Sequence, residues 1–232
     1  MSEFIFYHIE KCGGSSLREI LYKYFIEIYP KNIIFIPEYS GNINVNYHPN
    51  SLEIIKKNPK FDFYNIKVIL SHMRFNDFPN LNALCKYKFT CVREPISRVI
   101  SHYYFFHFPK NKIEFIDLNH IDFENFASIH GQLISNCLGI TDKSELNEID
   151  KRLKEFNYIL ILENIKNDIV TLNKSLNKAF GKKIVLQEEK KNVNNHKIKD
   201  EETLRKLLKK YCVLDELVYN RISILKNSNI IE

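Results

Sequence analysis

The chain has 232 residues, with 34 Lys and Arg against 28 Asp and Glu, a net charge of +6 and a pI of about 8.9. Hydrophobic residues at 44% and charged residues at 27% exclude disorder over most of the length and suit one globular domain, residues 1–232. Five cysteines in no CxxC pair argue against a zinc site or disulfide framework, and no apolar run reaches the roughly 18 residues of a membrane span, so the expectation is a cytoplasmic protein with reduced thiols, a trimmed membrane anchor being the alternative.

The first predicted element is a buried strand, Phe4 to Ile9, rich in aromatic and β-branched residues. A turn follows at Glu10 to Ser15. Apolar residues at Leu17, Ile20, Leu21, Tyr24, Phe25 and Ile28 then predict a helix over 16–28. A strand at Ile33 to Ile36 and a short helix near Leu52 to Lys57 are expected in an Asn- and Pro-rich stretch. Lys67 to Leu70 and Tyr87 to Val92 read as strands, and Pro95 opens a helix to about Phe106. Phe123 to Leu138 and Glu145 to Phe156 read as helices, Tyr158 to Leu162 as a strand, and Ile165 to Phe180 as a helix. Lys182 to Asn195 is a basic loop, and helices over Asp200 to Lys210 and Leu214 to Leu225 close the chain. Strands alternating with helices predict an α/β three-layer sandwich with a central, mainly parallel sheet. Ligands of such sheets sit at the carboxyl ends of the strands. Glu10 to Ser16, Ser71 to Arg74, Arg93 and Glu163 therefore gather at one edge.

Two segments carry chemistry. His8-Ile9-Glu10-Lys11-Cys12-Gly13-Gly14-Ser15-Ser16-Leu17 offers a lysine, two glycines and two hydroxyls between a strand and a helix. Glycines let backbone amides approach an anion, and the helix N-terminus adds unpaired N–H donors. Lys11 precedes the glycines, so the loop is not a Walker A loop, whose lysine follows the last glycine. A plain βα turn with a chance lysine is the alternative. The second segment runs from Cys91 to Tyr104. Arg93 closes a strand, and Ser101 lies two helical turns further on, a spacing that would let both reach one phosphate; an Arg93 paired with a carboxylate beside an incidental Ser101 is the alternative.

The pair HIEKCGGSSL and CVREPISRVISHYY resembles the two cofactor motifs of the sulfotransferases that use 3′-phosphoadenosine 5′-phosphosulfate (PAPS). The carbohydrate branch of uronyl 2-O-sulfotransferase type, with its bacterial relatives, is the nearest in pattern. The resemblance implies a P-loop-type fold, PAPS as donor and the 3′,5′-bisphosphate PAP as product. It gives Lys11, Cys12, Gly13, Gly14, Ser15 and Ser16 the 5′-phosphosulfate, and Arg93 and Ser101 the 3′-phosphate. It makes His72, in the segment Leu70 to Phe75, the general base, and Lys11 the stabiliser of the leaving phosphate. Lys190, Lys191 and Asn192 fall where the family has a basic loop over the nucleotide. Glu10 stands where the family has Pro, and Cys12 where it has Thr.

These implications predict sulfuryl transfer to a hydroxyl acceptor, a carbohydrate above all, with no metal and no nucleic acid. Glu10, Glu38 and His102 are alternative bases, and His8 reads as structural. The aromatic run Tyr103 to Phe108 packs a helix and partly lines an acceptor groove, with Arg74, Lys110 and Lys112 as basic neighbours. The rival readings are a kinase-like phosphotransferase using ATP and Mg²⁺, and a non-catalytic protein that holds PAP or a polyanion.

Overall fold

The computed structural model describes residues 3–29, 33–36, 67–72, 74–77, 79–107, 121–181 and 201–231. The expected helix near Leu52, the basic loop with Lys190, Lys191 and Asn192, and Glu38, Lys110 and Lys112 lie outside them.

Five strands form one parallel sheet: β1 (Phe4–Tyr7), β2 (Ile33–Ile36), β3 (Val68–Ser71), β4 (Tyr87–Val92) and β5 (Tyr158–Ile161), in the order β2-β3-β1-β4-β5. Every pairing is parallel, with Phe6 opposite Leu70 on one side and Phe89 on the other. β1 is central, and all four of its residues are buried. A parallel strand covered on both faces must be apolar throughout, which is why Phe4 to Tyr7 shows no polar alternation.

The period of two divides the core. Phe4 and Phe6 face helices α1 (Gly14–Ile26) and α7 (Ile165–Phe180), packing with Leu17, Leu21, Phe25 and Leu172. Ile5 and Tyr7 face the other layer, with Ile134 of α5 (Leu133–Cys137), Ile149 of α6 (Leu146–Leu153) and Val218 of α9 (Val213–Asn227). A third cluster joins α3 (Pro95–His107) to α4 (Ile121–His130) and α8 (Glu201–Lys209) through Val99, Tyr103, Phe123, Leu204 and Leu208. The three-layer α/β expectation holds.

Four details differ from expectation. The first strand, expected over Phe4 to Ile9, ends at Tyr7, so His8 lies just past it. The helix expected over Phe123 to Leu138 breaks into α4 and α5 at Gly131. A side chain there would lie 2.2 Å from the Tyr211 carbonyl oxygen, so two distant backbones meet at this point. Asp215 of α9 then caps α5, accepting from the Ile134 and Ser135 amides at 2.9 and 2.8 Å. The helix expected over Glu145 to Phe156 is shorter, Leu146 to Leu153, and opens on a capping box of Glu145 and Glu148. A 3₁₀ turn at Phe75–Asp77 and the six-residue helix α2 (Pro79–Leu84) also fill the β3 to β4 connection.

The strand order fixes where a ligand sits. From β1 the chain moves through α1 towards β2 and β3, whereas from β4 it moves to β5 on the opposite side. The connections diverge between β1 and β4, which opens a crevice at their carboxyl ends.

Candidate anion site at the sheet edge

The loop after β1 occupies that crevice. Lys11 has φ 64°, a left-handed conformation that costs a non-glycine residue roughly 1 kcal/mol or more. Gly13 repeats it at φ 76° and is the N-cap of α1. Two left-handed turns in three residues fold the chain tightly before the helix begins. Neighbours close over both glycines: a Cβ on Gly13 would lie 2.6 Å from Leu162 Cδ1, and one on Gly14 1.6 Å from His8 Cδ2. Gly13 offers α1 no capping side chain, and the first turn of α1 holds no acid. The helix N-terminus thus presents its dipole and main-chain donors uncompensated by carboxylates of its own.

The other strand ends converge on this loop. From β4, Arg93 Nη1 donates to the Lys11 carbonyl at 3.5 Å. From β3, the His72 ring stacks at 3.7 Å on His8, one residue past β1. From β5, Glu163 accepts from the Glu94 amide and from the Tyr219 hydroxyl, both at 3.1 Å. The four segments expected at one edge are together there. On α3, Ser101 is partly exposed, whereas Ser15 is exposed and Ser16 partly so.

The floor of the site is buried. Burial holds the His8 imidazole well below the ordinary histidine value, and His72, Arg18 and Lys11 push it further down. Burial lowers His72 to about 4; Arg18 adds to this, while Glu10 and a hydrogen bond to the His8 main chain work against it. Both rings are neutral at pH 7. Burial pushes the Cys12 thiol up to about 12 against the pull of Arg98 and Arg93. With its side chain fully buried, Cys12 meets a ligand only through its main chain.

Glu10 is turned aside. Its carboxylate lies 2.7 Å from Nε2 of buried His102 on α3. Lys11 Nζ sits 4.3 Å from the Phe105 ring centroid, and Phe105 and Phe106 are exposed on the same helix. Glu94 caps α3 through the Ile96 and Ser97 amides and pairs with Arg205 of α8 at 2.9 Å. Burial would raise the Glu94 carboxyl, yet its bonds from Ser97 and Arg205 hold it below the usual range.

Sequence reasoning missed Arg98. It sits inside the second motif, fully buried, donating to the His130 carbonyl and 4.0 Å from the equally buried Asp215 carboxylate. A cavity of about 510 Å³ lined by Phe75, Asn82, Lys88 and Arg152 contains none of the loop residues. The loop chemistry, not that cavity, locates the site. Among the described residues no group of three or more His, Cys, Asp or Glu is arranged to hold a metal, and no helix is long and apolar enough to cross a membrane.

An α/β sheet with a lysine- and glycine-bearing loop heading its first helix, and an arginine closing the neighbouring strand, is an arrangement suited to holding an anion. The chain belongs to the sulfotransferase family, whose family model matches residues 2–222. A search of curated proteins finds no match. Among solved structures, the mouse sulfotransferase SULT7A1 complexed with PAP is similar at 17% identity and a TM-score of 0.47. That match covers 79% of this chain and 59% of the mouse chain.

Proposed function

We propose that the protein transfers a sulfuryl group from PAPS to a hydroxyl, with a carbohydrate as acceptor. The observation that carries the reading is the meeting of Arg93 with the Lys11 carbonyl, which joins the two cation-bearing motifs across the β1–β4 crevice. In this reading the amides of Gly13, Gly14, Ser15 and Ser16 and the main chain of Cys12 receive the 5′-phosphosulfate. Arg93 and Ser101 receive the 3′-phosphate, with Lys190, Lys191 and Asn192 closing over the nucleotide. His72, neutral at pH 7, takes the acceptor proton as the acceptor oxygen bonds to sulfur. The bond from sulfur to the bridging oxygen breaks, and its electron pair stays on the phosphate. Lys11 neutralises that developing charge. The exposed ring of Phe105, beside Lys11, suits the apolar face of a sugar.

Calorimetric titration with PAP, against ATP–Mg²⁺ as control, tests the donor site. The expected result is PAP binding that Arg93→Ala weakens by at least tenfold. A preference for ATP–Mg²⁺ overturns the reading in favour of a phosphotransferase. Labelled PAPS with a panel of uronate-containing oligosaccharides, simple glycosides and phenols then tests the acceptor, and exclusive transfer to phenols overturns the carbohydrate assignment. His72→Ala is expected to abolish transfer with PAP binding intact.

A further inference from the structure

His8 is more than a core residue at a strand end. It continues the face of β1 that carries Phe4 and Phe6, and its ring stacks 5.8 Å from Phe6. It has left the ladder, and its side chain is buried against two things at once. One is Gly14, whose missing Cβ is what admits the ring: a methyl there would lie 1.6 Å from Cδ2 and 1.9 Å from Nε2 of His8. The other is His72, whose ring lies 3.7 Å away at a 35° tilt. The main chain of His8 also shares a hydrogen bond with the His72 imidazole. One residue thus touches the head of α1 on one side and the end of β3 on the other.

We infer that His8 is a positioning residue, a spacer wedged between Gly14 and His72 that sets the height of the His72 ring above the phosphate loop. The inference rests on the reading of His72 as the general base. Transfer needs that base held to within a fraction of an ångström of a hydroxyl, which in turn is aligned on the donor at the loop. A flat ring clamped by the glycine is stiffer than a direct contact between the exposed ends of two loops. His8 reaches no reacting atom, because it lies beneath Gly14 and is 6% exposed.

The test reads His72 directly, without an acceptor. Ring-labelled histidine is followed by nuclear magnetic resonance from pH 3 to 8, with His72→Gln assigning the resonance. The charged and titrating groups facing the pair are Arg18 from α1 and Lys11 and Glu10 from the loop, which all variants retain. In the native protein His72 is expected to titrate near pH 4. In His8→Ala the midpoint rises by at least one pH unit and the ring samples both tautomers, because the clamp is gone. In His8→Phe, which restores a flat ring of similar size, the midpoint stays low and one tautomer persists. An unchanged His72 titration in His8→Ala, whatever happens to the melting temperature, overturns the inference, as does a His8→Phe variant that behaves like His8→Ala. Titration with PAP runs alongside, and both variants are expected to bind within about threefold of the native protein. Failure of the native protein to bind PAP would count against the donor reading, while the His72 titration would still decide the spacer.

Discussion

The Arg98–Asp215 pair offers the sharpest test of how the second motif is anchored. Arg98 lies between Arg93 and Ser101, the two residues assigned to the 3′-phosphate. Both partners are fully buried, and their closest charged atoms are 4.0 Å apart. Asp215 also accepts from the Ile134 and Ser135 amides and from the Ser135 hydroxyl at 2.7 Å. Asp215→Ala would leave a buried guanidinium without its counter-charge and would remove the cap of α5. Breaking such a pair costs about 3–5 kcal/mol. For a domain of this size each kcal/mol moves the melting temperature by roughly 2–4 °C, so a fall of roughly 6–20 °C is expected. Arg98→Met costs less, because Asp215 keeps three hydrogen bonds and burial already favours its protonated form. The double variant Arg98→Met/Asp215→Ala, with no buried charge left, is expected to be more stable than the sum of the single costs by over about 1 kcal/mol. Urea unfolding of all four proteins, with an unchanged slope as the check on the two-state assumption, gives the cycle. A Tm loss below about 3 °C for Asp215→Ala, or additivity within about 0.5 kcal/mol, would refute the claim that this pair carries the anchor.

Gly14→Ala places a methyl into the His8 ring, and overpacking of this kind costs about 1–3 kcal/mol; calorimetry should show PAP affinity down at least tenfold. His72 has its folded pKa held at about 4 against 6.5, so its stabilising effect is complete above pH 6.5 and is lost as pH falls towards 4. About 2 kcal/mol of that contribution is expected to be gone at pH 5, and His72→Gln should flatten the fall in urea-derived stability between pH 7 and 5 by that amount. Glu10→Gln removes a carboxylate from beside an anion loop; PAP should bind about two- to fivefold more tightly at low salt, with the gain shrinking in 0.5 M KCl, both read by calorimetry.

The sequence displayed those features whose cause is local. The apolar run at Phe4 to Tyr7 reports burial on two faces, and the left-handed turn at Gly13 is written in its glycines. The convergence of Glu10 to Ser16, His72, Arg93 and Glu163 followed from strand alternation alone. What stayed hidden is caused by contact at long range. The break at Gly131 exists because the Tyr211 carbonyl comes within reach of its Cβ position, and nothing near residue 131 announces Tyr211. Arg98 looks like any helix arginine until the carboxylate of Asp215, from the last helix, is placed beside it. α2 is six residues long, too short for a helical period to register in the sequence.

Glu10 shows how the site resolves a local conflict through the fold. A carboxylate beside a loop built for an anion opposes binding, and the neighbouring sequence supplies nothing to offset it. His102 does, from the third turn of α3, at 2.7 Å. The same solution recurs at the other strand ends. Glu94 caps α3 and pairs with Arg205, Glu163 receives the Glu94 amide and the Tyr219 hydroxyl, and Asp168 accepts from the Ile161 amide at 2.7 Å and faces Lys226. Among the described residues, Glu94, Glu163 and Asp168 are engaged by main-chain amides, a cation or a hydroxyl of the protein itself. Burial is the main cause of the depressed His8 and His72 imidazoles, and Arg18 at both and Lys11 at His8 add to it. The crevice suits an anion less through an excess of cations than through where the carboxylates are sent. His102, which holds the Glu10 carboxylate, is therefore expected to matter for anion binding at the loop, and His102→Ala is expected to weaken PAP binding.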